Sequence, residues 1–260
     1  MADIVKKHNT SYARYEELIN RRDDLKKEAF QYHADYVREF GDLILELFRK
    51  KIECIQKKKT IEYCQAALNH GNNVDQAKLQ AYLEKEMADF QAQLKGMVEE
   101  HEAALKSTVV TEKDMLEIKR IYHRLVKKIH PDINPAVTGS EELMDLWHRV
   151  SLSYSCNDLR TLQELEVLVM QALESVSLDD LDIPDIEDKI AELESEIKEI
   201  METDPYQYKF LLADSKAVEA KKEDLRAEMK TYEDYSKQLD EVLEGILGSG
   251  VKITWQMNCQ

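Results

Sequence analysis

The residues of this chain best suited to chemistry lie in one stretch. His130, Pro131 and Asp132 place an imidazole and a carboxylate on either side of a proline. An imidazole titrates near neutral pH, and a carboxylate accepts hydrogen bonds or pairs with a cation. The triplet could therefore move a proton or present two polar groups to a partner. Proton transfer in covalent catalysis needs a nucleophile within reach, yet no Ser or Cys is near, and Asp132 shares one tight turn with His130. Presentation to a partner is the favoured use, with Pro131 setting the turn. No catalytic residue is expected.

The approach to the triplet is strongly basic. Lys113, Lys119, Arg120, Arg124, Lys127 and Lys128 face only Asp114 and Glu117, a local balance of +4 in a chain of net charge −16, so the remainder carries −20. Such a patch on an acidic molecule steers an acidic partner and orients it more than it adds raw affinity. On charge alone, the solvated face of an ordinary helix would be the better reading; the adjoining triplet reverses that preference. Other candidates are weaker. His123, His130 and His148 are near in sequence, but no His, Glu or Cys set has metal-ligand spacing. His101 falls on an apolar seam and reads as a satisfied interhelical histidine, while Met97 and Met115 read as core fillers. The four cysteines, Cys54, Cys64, Cys156 and Cys259, form no C-x-x-C pair and read as reduced, small apolar residues. There is no phosphate-binding glycine loop or nucleophile elbow. Neither metal nor cofactor is expected.

The elements that must hold the triplet are legible on either side of it. Ile118, Ile121, Tyr122, Leu125, Val126 and Ile129 fall on one face of a helix. Thr111 with Asp114 reads as its N-cap. Pro131 and Pro135 both disfavour helical conformation in the residue before them and so end it. Ser140 begins a second helix, with Leu143, Leu146, Trp147, Val150 and Tyr154 buried. Asp158 caps a third, with Leu162, Leu165, Val169 and Leu173 inward.

The run from Glu117 to Asp132 resembles the second helix and loop of J-domain proteins, the DnaJ-type co-chaperones. A His-Pro-Asp triplet alone arises by chance in about one chain of this length in a hundred. Here it ends a basic amphipathic helix with a tyrosine on the apolar face. Asn134-Pro135 follow in the family's usual place, and Trp147, Val150 and Tyr154 stand where the family's third helix packs. The resemblance covers roughly Thr111 to Asp158, under a fifth of the chain. It implies a module that binds a DnaK-type chaperone ATPase and promotes its hydrolysis. His130, Pro131 and Asp132 would be the functional turn, with Lys119, Arg120, Arg124, Lys127 and Lys128 supplying electrostatic contacts. The family's tyrosine- and leucine-rich first helix is not matched at Ala104–Val110, and the long helix ending near Leu105 is expected to pack in its place. The glycine-phenylalanine stretch and zinc repeats of full-length DnaJ proteins are absent, so the client is unknown.

The rest of the chain reads as all-α. Only 7 Gly and 4 Pro in 260 residues predict long helices. Val37, Phe40, Ile44 and Leu47, continued by Cys54, Ile61 and Leu68, form a narrow seam. The turn at Asn69–Asn73 folds it back on Leu83, Met87, Phe90, Leu94 and Met97, an antiparallel hairpin. Ile186, Ile190, Leu193, Ile197 and Ile200 open a second one, returning from Asp204-Pro205 through Leu211, Leu225, Leu239 and Leu243. The expected organisation is an N-terminal hairpin over 1–106, a J-like module over 107–175 and an acidic linker over 176–184. A C-terminal antiparallel coiled-coil hairpin over 185–247 and a tail over 248–260 complete it. The hairpins have little core of their own and are expected to pack together, on the module, or on a second copy of the chain. The acidic balance argues against nucleic acid and anionic membranes as partners. With no apolar leader or spanning stretch, the expected location is the cytoplasm. The rival to a co-chaperone or adaptor is a structural, scaffolding coiled-coil protein whose J-like module engages no chaperone.

Overall fold

The structure, a computed structural model, describes residues 2–70, 73–106, 110–175 and 185–248. The protein is all-α, with no strand among the described residues. Its helices are α1 (Ala2–Asn69), α2 (Gln76–Lys106), α3 (Glu112–Ile129), α4 (Glu141–Ser155), α5 (Leu159–Ser175), α6 (Ile186–Glu202), α7 (Tyr208–Ala213) and α8 (Ser215–Gly248). A 3-10 turn over Pro135–Gly139 precedes α4. The acidic stretch expected as a linker, 176–184, lies outside the described residues, as do Gly71 of the first turn and all but the first residue of the tail.

Compact units do not follow the order along the chain. One comprises Met1–His33 with Thr108–Lys209, and the other Ala34–Ser107 with Phe210–Gln260. The expected boundary at 106 is thus replaced by one inside α1, whose first stretch packs with α3, α4 and α5. The physical reason lies in the apolar positions before Val37. Tyr15, Leu18 and Ile19 are buried in the module's core, and Leu25 and Ala29 are buried against Tyr206. This stripe is separate from the Val37–Leu68 seam.

In the first unit α3, α4 and α5 pack on one another. All eleven residues anticipated as buried on α3 and α4 are so, Ile118, Leu125, Val126, Ile129, Leu143 and Val150 completely. Core residues from outside the module come from the start of α1 (Tyr15, Leu18, Ile19) and from α6 (Leu193, with Ile186, Ile190 and Ile197 partly buried). The helix ending near Leu105 contributes none of them, so the packing partner expected for α3 is corrected to α1. The first turn of α3 is capped as anticipated: Thr111 Oγ1 accepts from Asp114 N at 3.2 Å and donates to its carboxylate at 2.8 Å. Asp158 caps α5 by accepting from Thr161 N at 3.0 Å.

In the second unit α2 runs antiparallel to α1: Arg38 donates to Ala104 O at 3.0 Å, while Lys59 meets Glu86 and Tyr63 meets Tyr82 at a 5.3 Å centroid distance. Gly41 lets α2 approach, since a Cβ there would stand 2.3 Å from the His101 ring. His101 is buried with Nδ1 3.7 Å from Asp42, but its Nε2 has no hydrogen-bond partner among the described residues, so it is less fully satisfied than expected. α8 runs parallel to α1, with Lys222 on Glu39, Cys54 Sγ donating to Tyr232 O, and Lys57 on Ser236 and Asp240.

The seams expected to pair α6 with α8 are therefore satisfied separately. Those of α6 enter the module's core, whereas Leu239 and Leu243 pack with Cys54 and Ile61. Between them, Pro205 does not open a helix. Tyr206 turns inward onto Leu25 and Ala29, edge-on to Tyr32 at 5.7 Å, and that burial holds a turn before α7. Asp214 then caps α8 by accepting from Lys216 N at 2.9 Å.

Candidate functional site at the His130-Pro131-Asp132 turn

Pro131 has no N–H and pushes its predecessor out of helical conformation. His130 accordingly sits at φ −70°, ψ 125°, and its own N–H closes α3 on Val126 O. The His130 carbonyl then accepts from Ile133 N at 3.1 Å and Asn134 N at 2.8 Å, which closes the turn. Asn134 ties it back by donating to Lys128 O at 3.2 Å. Ser140 starts α4 by accepting from Leu143 N. His130 lies against Trp147, and Tyr122 stacks on Tyr154 at 3.7 Å between centroids. Contacts thus step backward along α4 as they step forward along α3, so the pair is antiparallel with the turn at its tip.

Within the triplet the roles are unequal. His130 is only 5% exposed, contrary to its expected presentation to solvent. Its ring is edge-on to Trp147 at 4.5 Å, and its Nδ1 accepts from Asp132 N at 3.0 Å. An accepting Nδ1 requires the proton to be on Nε2 in the neutral ring. Burial pushes the His130 pKa below its ordinary value, against the opposing pull of Asp132 and Asp23. The imidazole is a wedge that sets the turn's backbone. Pro131 is half-buried, while the Asp132 side chain is 51% exposed, 3.9 Å from the Arg22 guanidinium.

The basic face of α3 is partly matched by α1, which carries acids the sequence reading missed. Lys119 lies 3.4 Å from Asp24 and 3.5 Å from Glu28, and Lys127 lies 3.5 Å from Glu16. These pairs also make α1 antiparallel to α3. Arg124 donates to both carboxylate oxygens of Glu166 on α5, at 2.7 and 3.1 Å. Arg120, exposed, reaches only Glu117 of its own helix among the described residues, at 3.8 Å. Lys113 and Lys128 form no ion pair among the described residues. Of the five cations assigned to partner contact, Arg120 and Lys128 are thus the least committed.

Behind the turn is a polar network that joins α1 to α3 and α4. Tyr122 Oη donates to Asp23 at 2.8 Å, Tyr154 Oη donates to Asp24, and His123 Nε2 is 3.2 Å from Asp24. Burial would raise the Asp24 carboxyl, but the hydrogen bonds from His123 and Tyr154 outweigh it and hold the group below the usual carboxylate range. Both phenols are pushed well above their ordinary values, first by burial and then by these carboxylates. Arg22, Asp23, Asp24 and Lys27 were absent from the expected site because their partners on α3 and α4 stand 99 to 130 positions later. The signal in the sequence was the apolar stripe Tyr12, Tyr15, Leu18 and Ile19 at the start of α1, which carries these charges into place beside α3 and α4. No group of three or more His, Cys, Asp or Glu is placed to hold a metal among the described residues. No described helix is long and apolar enough to cross a membrane. Comparison with protein-family models, with curated proteins and with solved structures gives no match to this chain.

Proposed function

We propose that the chain is a cytoplasmic co-chaperone or adaptor. Its J-domain-like module engages a DnaK-type chaperone ATPase and stimulates hydrolysis, and its long helices hold a client. The observation that carries this reading is the tip of the α3–α4 hairpin. There His130 is spent on positioning, and the carboxylate of Asp132 projects into solvent beside Pro131. A carboxylate presented from a rigid, hydrogen-bonded turn can pair with a cation of the ATPase at little entropic cost. Arg120 and Lys128, further back along α3, add steering towards an acidic surface. Hydrolysis takes place in the partner, biased by the free energy that couples the interface to its nucleotide site.

A second reading is favoured by a different observation. His130 is buried, and Lys119, Arg124 and Lys127 already have carboxylate partners within the chain. That is how a J-like module would look if it served only as the core of a scaffolding protein.

The experiment that separates the two measures ATP hydrolysis by the host's DnaK-type protein at low salt, with and without the full chain. Stimulation that is lost with Asp132→Asn, while helicity and melting are unchanged, supports the co-chaperone. Arg120→Glu should weaken it in a salt-dependent manner, because exposed charges are screened over about 8 Å at physiological ionic strength. If the unaltered chain neither binds nor stimulates the ATPase, the scaffolding reading stands.

A further inference from the structure

Beside the turn, walled by the first stretch of α1 and by the α3–α4 hairpin, is a cleft of about 510 Å³. Its floor is closed, because His130, Trp147, Tyr154 and Lys27 are all buried. What a visiting molecule meets is the rim, where Asp132, Lys26 and Phe30 are exposed. Arg22, Lys26 and Phe30 follow one another at steps of four and so form a ridge along one side of α1. The Asp132 carboxylate lies beside the first of them, 3.9 Å from the Arg22 guanidinium. Phe30 stands two helical turns beyond Arg22, about 12 Å along the axis. Both cations of the ridge have nearer acids: Arg22 pairs with Asp23 at 2.9 Å, and Lys26 with Glu196 at 2.6 Å. The ridge therefore does not repel a cation arriving at Asp132, whose oxygens keep room for one.

Phe30 is the one phenylalanine of its unit, and it is 63% exposed. The core does not use it: the neighbouring stripe of α1, Leu25 and Ala29, is the one buried against Tyr206. Phenylalanine is a middling helix former, so helix propensity gives no reason for it on a ridge of charges. Single exposed apolar side chains are common on protein surfaces. This one ends a concave surface whose other end is a presented carboxylate, and aromatic side chains are enriched where proteins meet.

We infer that the ridge extends the docking surface for the DnaK-type ATPase from the turn onto α1, with Asp132 taking a cation of that partner and Phe30 an apolar side chain about 12 Å away. The inference rests on the co-chaperone reading and adds a contact that α3 and α4 cannot make without α1. On this side the partner's surface is basic and apolar, whereas the exposed cations of α3 meet its acidic part.

The test measures binding of the full chain to the host's DnaK-type protein, with ATP present, at low and at high salt. Phe30→Ala should weaken binding about tenfold or more, as loss of an apolar anchor does. The factor should be the same at both salts, because apolar burial is not screened. Asp132→Asn should weaken binding by a factor that shrinks as salt rises. Leu152→Ala, which removes a 65% exposed side chain of α4 that does not line the cleft, should change nothing. Hydroxyl-radical footprinting reads the same contact on the unaltered chain: Phe30 should be oxidised when free and protected in the complex. Binding unchanged by Phe30→Ala, or an unprotected Phe30 in the complex, overturns this inference and leaves the co-chaperone reading standing. Equal losses from Phe30→Ala and Leu152→Ala overturn it as well. If the unaltered chain does not bind at either salt, the co-chaperone reading falls and this inference falls with it.

Discussion

Lys27→Met should make the first unit more stable at neutral pH, with a gain that shrinks as pH rises. Burial, assisted by Lys119 and opposed by Asp24, pushes the Lys27 ammonium down to about 8 from 10.5. A depression of that size costs about 3 kcal/mol while the unfolded chain carries the charge freely, at about 1.4 kcal/mol per pKa unit. The cation–π contact with Tyr154 offsets about 0.5–2 kcal/mol of that. The methionine variant should therefore gain about 1–3 kcal/mol at pH 7. The folded-state pKa is the lower one, so between about 8 and 10.5 the unfolded chain binds more protons and stability rises with pH. From pH 7 to 9.5 the wild type should recover about 1–2 kcal/mol relative to the variant. Urea unfolding followed by Trp147 fluorescence in a Trp255→Phe background reads the first unit, since the chain has 2 Trp. The comparison stays below pH 10, where Tyr122 and Tyr154, raised by burial, begin to oppose folding. A difference between wild type and variant that does not change with pH, or a less stable variant throughout, would refute the reasoning.

Three further outcomes are expected. Leu125→Ala, at a side chain with no exposure, should cost about 2–5 kcal/mol in urea unfolding. Gly41→Ala should lower the thermal stability of the second unit by about 1–3 kcal/mol, because its Cβ would overlap the His101 ring; adding His101→Ala should relieve part of that loss in a double-mutant cycle. His130→Gln should cost about 1–3 kcal/mol by removing the ring packed on Trp147, whereas Asp132→Asn, in an exposed side chain, should stay within about 0.5 kcal/mol; equal effects of the two would contradict their unequal burial.

The periodicity of the chain was sufficient for everything that depends on neighbours three to seven positions apart. Thr111, Pro131, Ser140 and Asp158 act on backbone groups within a turn of themselves, so their capping and stopping roles are written locally. The buried face of α3 follows for the same reason, because one helix face must be covered whatever covers it. Which surface covers it is another matter. Tyr15, Leu18 and Ile19 meet α3 only after two helices and a turn have intervened, and nothing in the local pattern distinguishes that stripe from the seam beginning at Val37. The same limit explains His130. A histidine before proline is equally compatible with an exposed or a buried ring, and only the placement of Trp147 on a separate helix turns it inward. Lys27 is the plainest case. By type and position it belongs to a solvated helix face, and only the arrival of Tyr154, more than a hundred residues later, encloses its ammonium. Local sequence sets where helices start, stop and show apolar surface; which charges end up paired, buried or alone depends on the whole chain, because Coulomb energies and desolvation depend on distances that only the tertiary fold creates.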